Sequence, residues 1–164
     1  MEFLLLGPVE VRDGRRRLAV GGPQAVKALA ALLLAGGRVV GLDELVDVLW
    51  DGPPPATATH QVHKLIGRLR QRIPRSIDTD GRGYRFRPDA HSLDVDRFTA
   101  LSAGADTPEL AAALALWRGP ALAGVDSLTL RAAAAALTAQ RLAVEERLDQ
   151  LLQADPDDFR AGHR

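Results

Sequence analysis

Three consecutive prolines, Pro53 to Pro55, and a fourth at Pro74 bracket one stretch of the chain, and what lies between them constrains the fold more than any other feature. Proline lacks a backbone N–H and biases the residue before it away from helical angles, so a helix is confined to the interval between the brackets. Inside it, Val62, Ile66, Leu69 and Ile73 recur at spacings of 4, 3 and 4, the period of a helix with one buried face. The spacing predicts a helix over residues 56–73, about 27 Å long at 1.5 Å per residue. Opposite the apolar stripe fall His60, Lys64, Gly67, Arg68 and Gln71, with His63 and Arg70 on one flank.

The neighbours of this helix extend the pattern. Ahead of it, Leu42, Leu45, Val46 and Leu49 form a second one-faced helix, with Asp43 and Glu44 at the positive end of its dipole. Behind it, residues 76–79 and 84–87 read as two strands joined by Asp80-Gly81-Arg82-Gly83, a hairpin carrying Arg82, Tyr84, Arg85 and Arg87. An acidic helix, a tight turn, a basic helix and a glycine-bearing hairpin compose a winged helix-turn-helix. Tyr84 is expected to pack inward, with contact to phosphate as the alternative.

Residues 2–20 read as two or three antiparallel strands, with Asp13-Gly14 as the hairpin signal and Arg15, Arg16 and Arg17 as solvated edge decoration. Pro23 opens a helix that is apolar nearly all round, and so belongs in the middle of the domain, before Gly36-Gly37 closes it. After Pro88 the composition changes. Residues 94–105, 108–117 and 128–152 show helical spacing with no strand signal, and Leu137, Leu142, Val144, Leu148, Leu151 and Leu152 form a loose stripe expected to pack on neighbouring helices. The fold class expected is therefore α+β over residues 1–90, a winged helix-turn-helix with an N-terminal antiparallel sheet and a C-terminal wing, followed by an all-α domain over residues 91–164.

Charge separates the same two regions. The chain is neutral overall, but 14 Lys+Arg against 9 Asp+Glu through Pro88 give +5, and the remaining 7 against 12 give −5. Opposed halves suggest two modules with different tasks. Eight basic side chains lie between His60 and Arg87 against Asp78 and Asp80. A guanidinium at Arg68 or Arg70 could bond both acceptors of a guanine edge, whereas a point charge such as Lys64 suits phosphate. The same cationic face would also serve as an ordinary solvated surface, or as a protein-interaction module pairing with an acidic partner without sequence-specific DNA binding.

Other chemistry finds few residues. With no cysteine, thiol nucleophiles, disulfides and cysteine-based metal sites are excluded. His60 and His63 could share a metal only with a third ligand that the sequence does not offer, and the pairs Asp94/Asp96 and Asp157/Asp158 read as caps and loop solvation. Neither a Gly-x-Ser-x-Gly elbow nor a phosphate-binding loop occurs. The expectations are no catalytic residue, no cofactor, no metal, no membrane partner, and a cytoplasmic, bacterial nucleoid-associated location.

The runs LWDGPPPATATHQVHKLIGRLRQRI and DGRGYRF resemble the OmpR/PhoB-type winged-helix DNA-binding domain. FLLLGPVEV, GGPQAVKALAALLLAGGRVV and LDELVDVLW are similar to a narrower group, the Streptomyces antibiotic regulatory protein (SARP) family. LDVDRFTAL, ALALWRGPALAGV and RLAVEERLDQLL resemble the TPR-like, helical-repeat bacterial transcriptional activation domain that follows in that family. The resemblance implies an activator that binds direct repeats in promoter DNA as a head-to-tail dimer, recruits RNA polymerase holoenzyme through its sigma subunit, and controls antibiotic or other secondary-metabolite genes. It places His60, Lys64, Leu65, Gly67, Arg68 and Arg70 toward the groove, with Asp80 and Arg82 at the wing. Together with the residue pattern, the expected DNA-binding set is His60, His63, Lys64, Gly67, Arg68, Arg70, Gln71, Arg82 and Arg85.

Three departures from the family pattern stand out. Val26 replaces a common basic residue, which shifts that phosphate contact to Lys27 or abolishes it, and Gly67 replaces a serine or arginine. The winged-helix pattern begins at Met1 and the chain stops at Arg164, inside what the resemblance makes a longer helical array. The expectations are thus no receiver-domain switch and a fragment or truncation.

Overall fold

The computed structural model describes residues 1–87 and 91–154. The junction expected at residue 90 and the Asp157/Asp158 pair lie outside the described residues.

Strands β1 (Glu2–Leu4), β2 (Glu10–Asp13) and β3 (Arg16–Leu18) form the expected antiparallel meander. Its second turn rests on Gly14 at φ +62°, a left-handed conformation that glycine adopts without a steric penalty. Helix α1 (Pro23–Leu34) begins with Pro23 in its first turn and buries Ala25 and the run from Ala28 to Leu33, so it is the central helix. Then follow β4 (Val40–Gly41), α2 (Leu42–Leu49), α3 (Ala58–Arg72), β5 (Ile77–Asp80) and β6 (Gly83–Phe86). Helix α3 starts at Ala58 rather than residue 56, and both hairpin strands sit one residue from their expected positions.

The hairpin is not an isolated pair. Strand β4 adds to β6, so three strands lie in the order β4-β6-β5, with Val40 opposite Tyr84 and Gly41 opposite Gly83. A Cβ on Gly83 would collide with the Val40 carbonyl oxygen, so only glycine lets the two backbones approach. The Leu42 N–H also donates to the Arg82 carbonyl at 3.2 Å, tying the hairpin turn to the start of α2.

The second half departs from its expected all-helical form at its start. Ser92–Leu93 form strand β7, which pairs parallel to β1 and turns the antiparallel meander into a mixed sheet of order β3-β2-β1-β7. Helices α4 (Asp94–Ser102), α5 (Thr107–Ala115) and α6 (Leu128–Ala154) follow. On α6 the expected stripe is only partly used. Leu137 and Val144 are buried, while Leu142, Leu151 and Leu152 are exposed, because the neighbouring helices cover only one narrow face of α6.

Packing joins the halves closely. Leu6 and Phe98 belong to one buried cluster, whereas Leu122 and Leu130 of the second half enter the core built around α1. The loop after α5 lies along the residues that follow β1: Arg118 N–H donates to Leu6 O at 2.8 Å, and Leu122 N–H to Leu5 O at 3.0 Å. Helices α2 and α6 cap each other. The buried Ser127 hydroxyl donates to Val48 O at 2.8 Å, and the Leu128 N–H donates to Asp51 Oδ1 at 2.9 Å, so unpaired groups at a helix C-terminus and a helix N-terminus are satisfied together.

Candidate nucleic-acid interface

Helix α3 is held by its apolar stripe. Val62, Ile66, Leu69 and the following Ile73 are all buried, and this fixes which side chains face outward. His60, Lys64, Gly67, Arg68 and Gln71 are exposed along the opposite face. None of the ion pairs among the described residues involves Lys64, Arg68 or Arg82. Their charges are therefore open to an external anion. Gly67 leaves a gap in the row, since a Cβ there would meet nothing within 4 Å.

Leu65 is half-buried at the floor of an open groove of about 320 Å³ that Gln24, Leu49, Trp50, Gln61, Lys64 and Arg68 also line. The groove is shaped where Gln24 Nε2 donates to Leu49 O at 3.1 Å, joining the start of α1 to the end of α2. Trp50, Gln24 and Gln61 were not among the expected site residues. The Leu-Trp pair closing α2 was the available signal, because a large aromatic at a helix end before a proline-rich turn cannot be buried inside that helix. Val26, where the family pattern has a basic residue, lines a second cleft with Arg17 and Arg72.

Three other expected site residues are turned toward the hairpin. Arg70 Nε donates to Ile77 O at 3.1 Å and its Nη2 to Thr79 Oγ1 at 2.7 Å, while its guanidinium lies 5.3 Å from the Tyr84 ring centroid. His63 Nδ1 and the Tyr84 hydroxyl are hydrogen-bonded to each other, with their rings edge to face. Tyr84 is buried, the first of the two expected placements. Arg85 lies 3.5 Å from Asp80 and 3.9 Å from Asp78 across the hairpin. Arg82 is exposed at the hairpin turn. The structure thus brings His60, Lys64, Gly67, Arg68 and Gln71 onto one face, sets Arg82 at the hairpin tip, and commits His63, Arg70 and Arg85 to intramolecular partners.

Electrostatics elsewhere support the scaffold. Burial pushes Glu10 up, but the hydrogen bond from Arg12 and the charges of Arg118, Arg12 and Arg17 together hold its carboxyl below the usual range. Among the described residues no group of three or more histidines and carboxylates is placed to hold a metal. No described helix is long and apolar enough to cross a membrane.

Comparison with known proteins bears on the whole arrangement. The family model described as bacterial transcriptional activator domain matches residues 93–156. The regulatory protein AfsR of Streptomyces coelicolor is 38% identical over 139 residues, which is 76% of this chain and 14% of AfsR. The transcriptional regulatory protein MoaR1 of Mycobacterium tuberculosis is 34% identical over 169 residues, 90% of this chain and 54% of MoaR1. Over most of its length the chain is similar to SARP-family transcriptional regulators. A solved structure of Mycobacterium tuberculosis EmbR in complex with a low affinity phosphopeptide gives a TM-score of 0.82 at 27% identity, covering 93% of this chain and 45% of that one. The chain spans about half the length, or less, of the relatives it matches.

Proposed function

We propose that the chain is a sequence-specific DNA-binding transcriptional activator. Residues 1–90 act as a winged helix-turn-helix, and residues 91–164 form the N-terminal part of a helical-repeat activation domain. Helix α3 enters the major groove, Lys64 contacts phosphate, Arg68 reads a base edge, and Arg82 at the wing follows an adjacent minor groove or backbone. In this reading the protein works in the bacterial cytoplasm on the nucleoid. It binds direct repeats as a head-to-tail pair, recruits RNA polymerase through the sigma subunit, and controls an antibiotic or secondary-metabolite cluster.

The observation that carries this reading is the sorting of α3. Its apolar stripe is buried while Lys64 and Arg68 are exposed one helical turn apart, free of ion pairs among the described residues. A B-DNA major groove about 12 Å wide admits one helix, and a guanidinium can bond guanine O6 and N7 together. Similarity to MoaR1, which is named as a transcriptional regulatory protein, adds support.

The test is fluorescence anisotropy with a duplex recovered from a randomised pool and a scrambled duplex of equal length. Arg68→Ala is expected to lose about 1 to 3 kcal/mol of discrimination between them, whereas Lys64→Ala weakens both alike. Equal losses on both duplexes for Arg68→Ala would remove that residue from base readout. Failure to select any duplex, with tight binding to an acidic protein surface, would favour a protein-interaction module instead.

A further inference from the structure

We infer that His63, Arg70 and Tyr84 form a latch that clamps the hairpin to the flank of α3, and that His63 and Arg70 are positioning residues for Arg82 rather than residues that touch DNA. The functional half of this inference rests on the DNA-binding reading above.

His63 and Arg70 are seven positions apart, two helical turns, so they project from the same flank about 10 Å from one another. Both meet one side chain of the inner strand β6. Tyr84 bonds His63 through its hydroxyl and lies under the Arg70 guanidinium. Arg70 then reaches past Tyr84 to the outer strand, donating to the Ile77 carbonyl and the Thr79 hydroxyl. Two strands are thereby fixed to one helix at several points. Ion pairs of Arg85 with Asp78 and Asp80 brace the hairpin across its own width, and the Leu42 contact holds its turn from the other side.

Geometry decides what Arg70 does. Its Nε and one Nη donor are used by two acceptors on β5, and leaving them for a base would release the strand whose tip carries Arg82. A hairpin fixed in advance loses less conformational freedom on binding, so the latch acts on affinity through preorganisation. Lysine cannot replace this function, because one ammonium lacks the planar fork that meets both acceptors.

The experiment is a double-mutant cycle on the whole chain with the selected duplex, combined with hydrogen–deuterium exchange of residues 77–86 in the free protein. Arg70→Ala is expected to weaken binding about fivefold when Arg82 is present and less than about twofold when Arg82 is already alanine, the signature of residues acting as a unit. Arg70→Lys is expected to behave like Arg70→Ala, and both to speed amide exchange in the hairpin. Tyr84→Phe keeps the ring, loses the link to His63, and is expected to give a smaller rise in exchange. An Arg70→Ala loss of equal size in both backgrounds, rescue by Arg70→Lys, or unchanged hairpin exchange would overturn the inference. A wild-type chain that binds no duplex while the variants still loosen the hairpin would overturn the DNA-binding reading and uphold the latch.

Discussion

The carboxylate of Asp94, the first residue of α4, accepts the backbone N–H of Leu5 at 2.9 and 3.0 Å, and one of its oxygens also takes the N–H of Leu6 at 2.9 Å. Asp94 is buried, so the side chain satisfies backbone donors that neither β2 nor β7 reaches. It joins the second half of the chain to the residues that directly follow β1. Burial pushes its carboxyl above the usual range, against the opposing hydrogen bonds from Leu5 and Leu6.

Asp94→Ala is expected to leave buried N–H groups unpaired and cost about 2 to 3 kcal/mol. Asp94→Asn, which keeps one acceptor oxygen, is expected to cost less. Urea unfolding monitored by circular dichroism measures both, and equal stability of Asp94→Ala and wild type would show that these donors find another partner.

Gly67 offers the opposite case. With open space around it and an ordinary place within α3, Gly67→Ala is expected to stabilise the protein by about 1 kcal/mol through helix propensity alone. The check is a rise in thermal midpoint. Gly83→Ala is expected to destabilise by about 1 to 3 kcal/mol, since the added methyl meets the Val40 carbonyl and forces β4 from β6.

Much of this was legible in the chain, for physical reasons that also mark where legibility stops. Apolar spacing identified the core face of α3 because burial on one side of a helix repeats every 3.6 residues. The strands β4 and β7, of two residues each, carry no periodicity and exist only because β6 and β1 present open edges to them. Lys64 and Arg68 were correctly assigned to the exposed face, yet the partners of Arg70 were hidden. Its acceptors lie beyond Pro74 on a strand whose register tertiary packing sets, so helical spacing places Arg70 on a flank without saying what that flank meets. The exposed Leu142, Leu151 and Leu152 likewise satisfy the helical pattern while nothing among the described residues covers them.

His91 introduces a pH dependence. Its ring stands 5.2 Å from Phe3 and 5.6 Å from Phe86, and its ring nitrogens have no partner among the described residues. Burial, with a smaller contribution from the positive charge of the amino terminus, lowers its pKa below 6.5. The unfolded chain therefore binds this proton more readily than the folded one. Stability from His91 is complete above the unfolded value and falls as pH drops through 6.5 toward the lowered folded value. The thermal midpoint is expected to decrease between about pH 7.5 and pH 5.5, and His91→Phe to flatten that part of the profile. A decrease of the same size in His91→Phe would assign it to other groups.

The most direct test of the central claim, that the exposed face of α3 is a surface for duplex DNA, is the salt dependence of equilibrium binding to the selected duplex. Each phosphate neutralised releases condensed counterions, so the logarithm of the binding constant should fall linearly with the logarithm of salt concentration. Lys64→Ala should make that slope shallower by about one. Binding that is absent in dilute buffer, or a slope that Lys64→Ala leaves unchanged, would contradict the account.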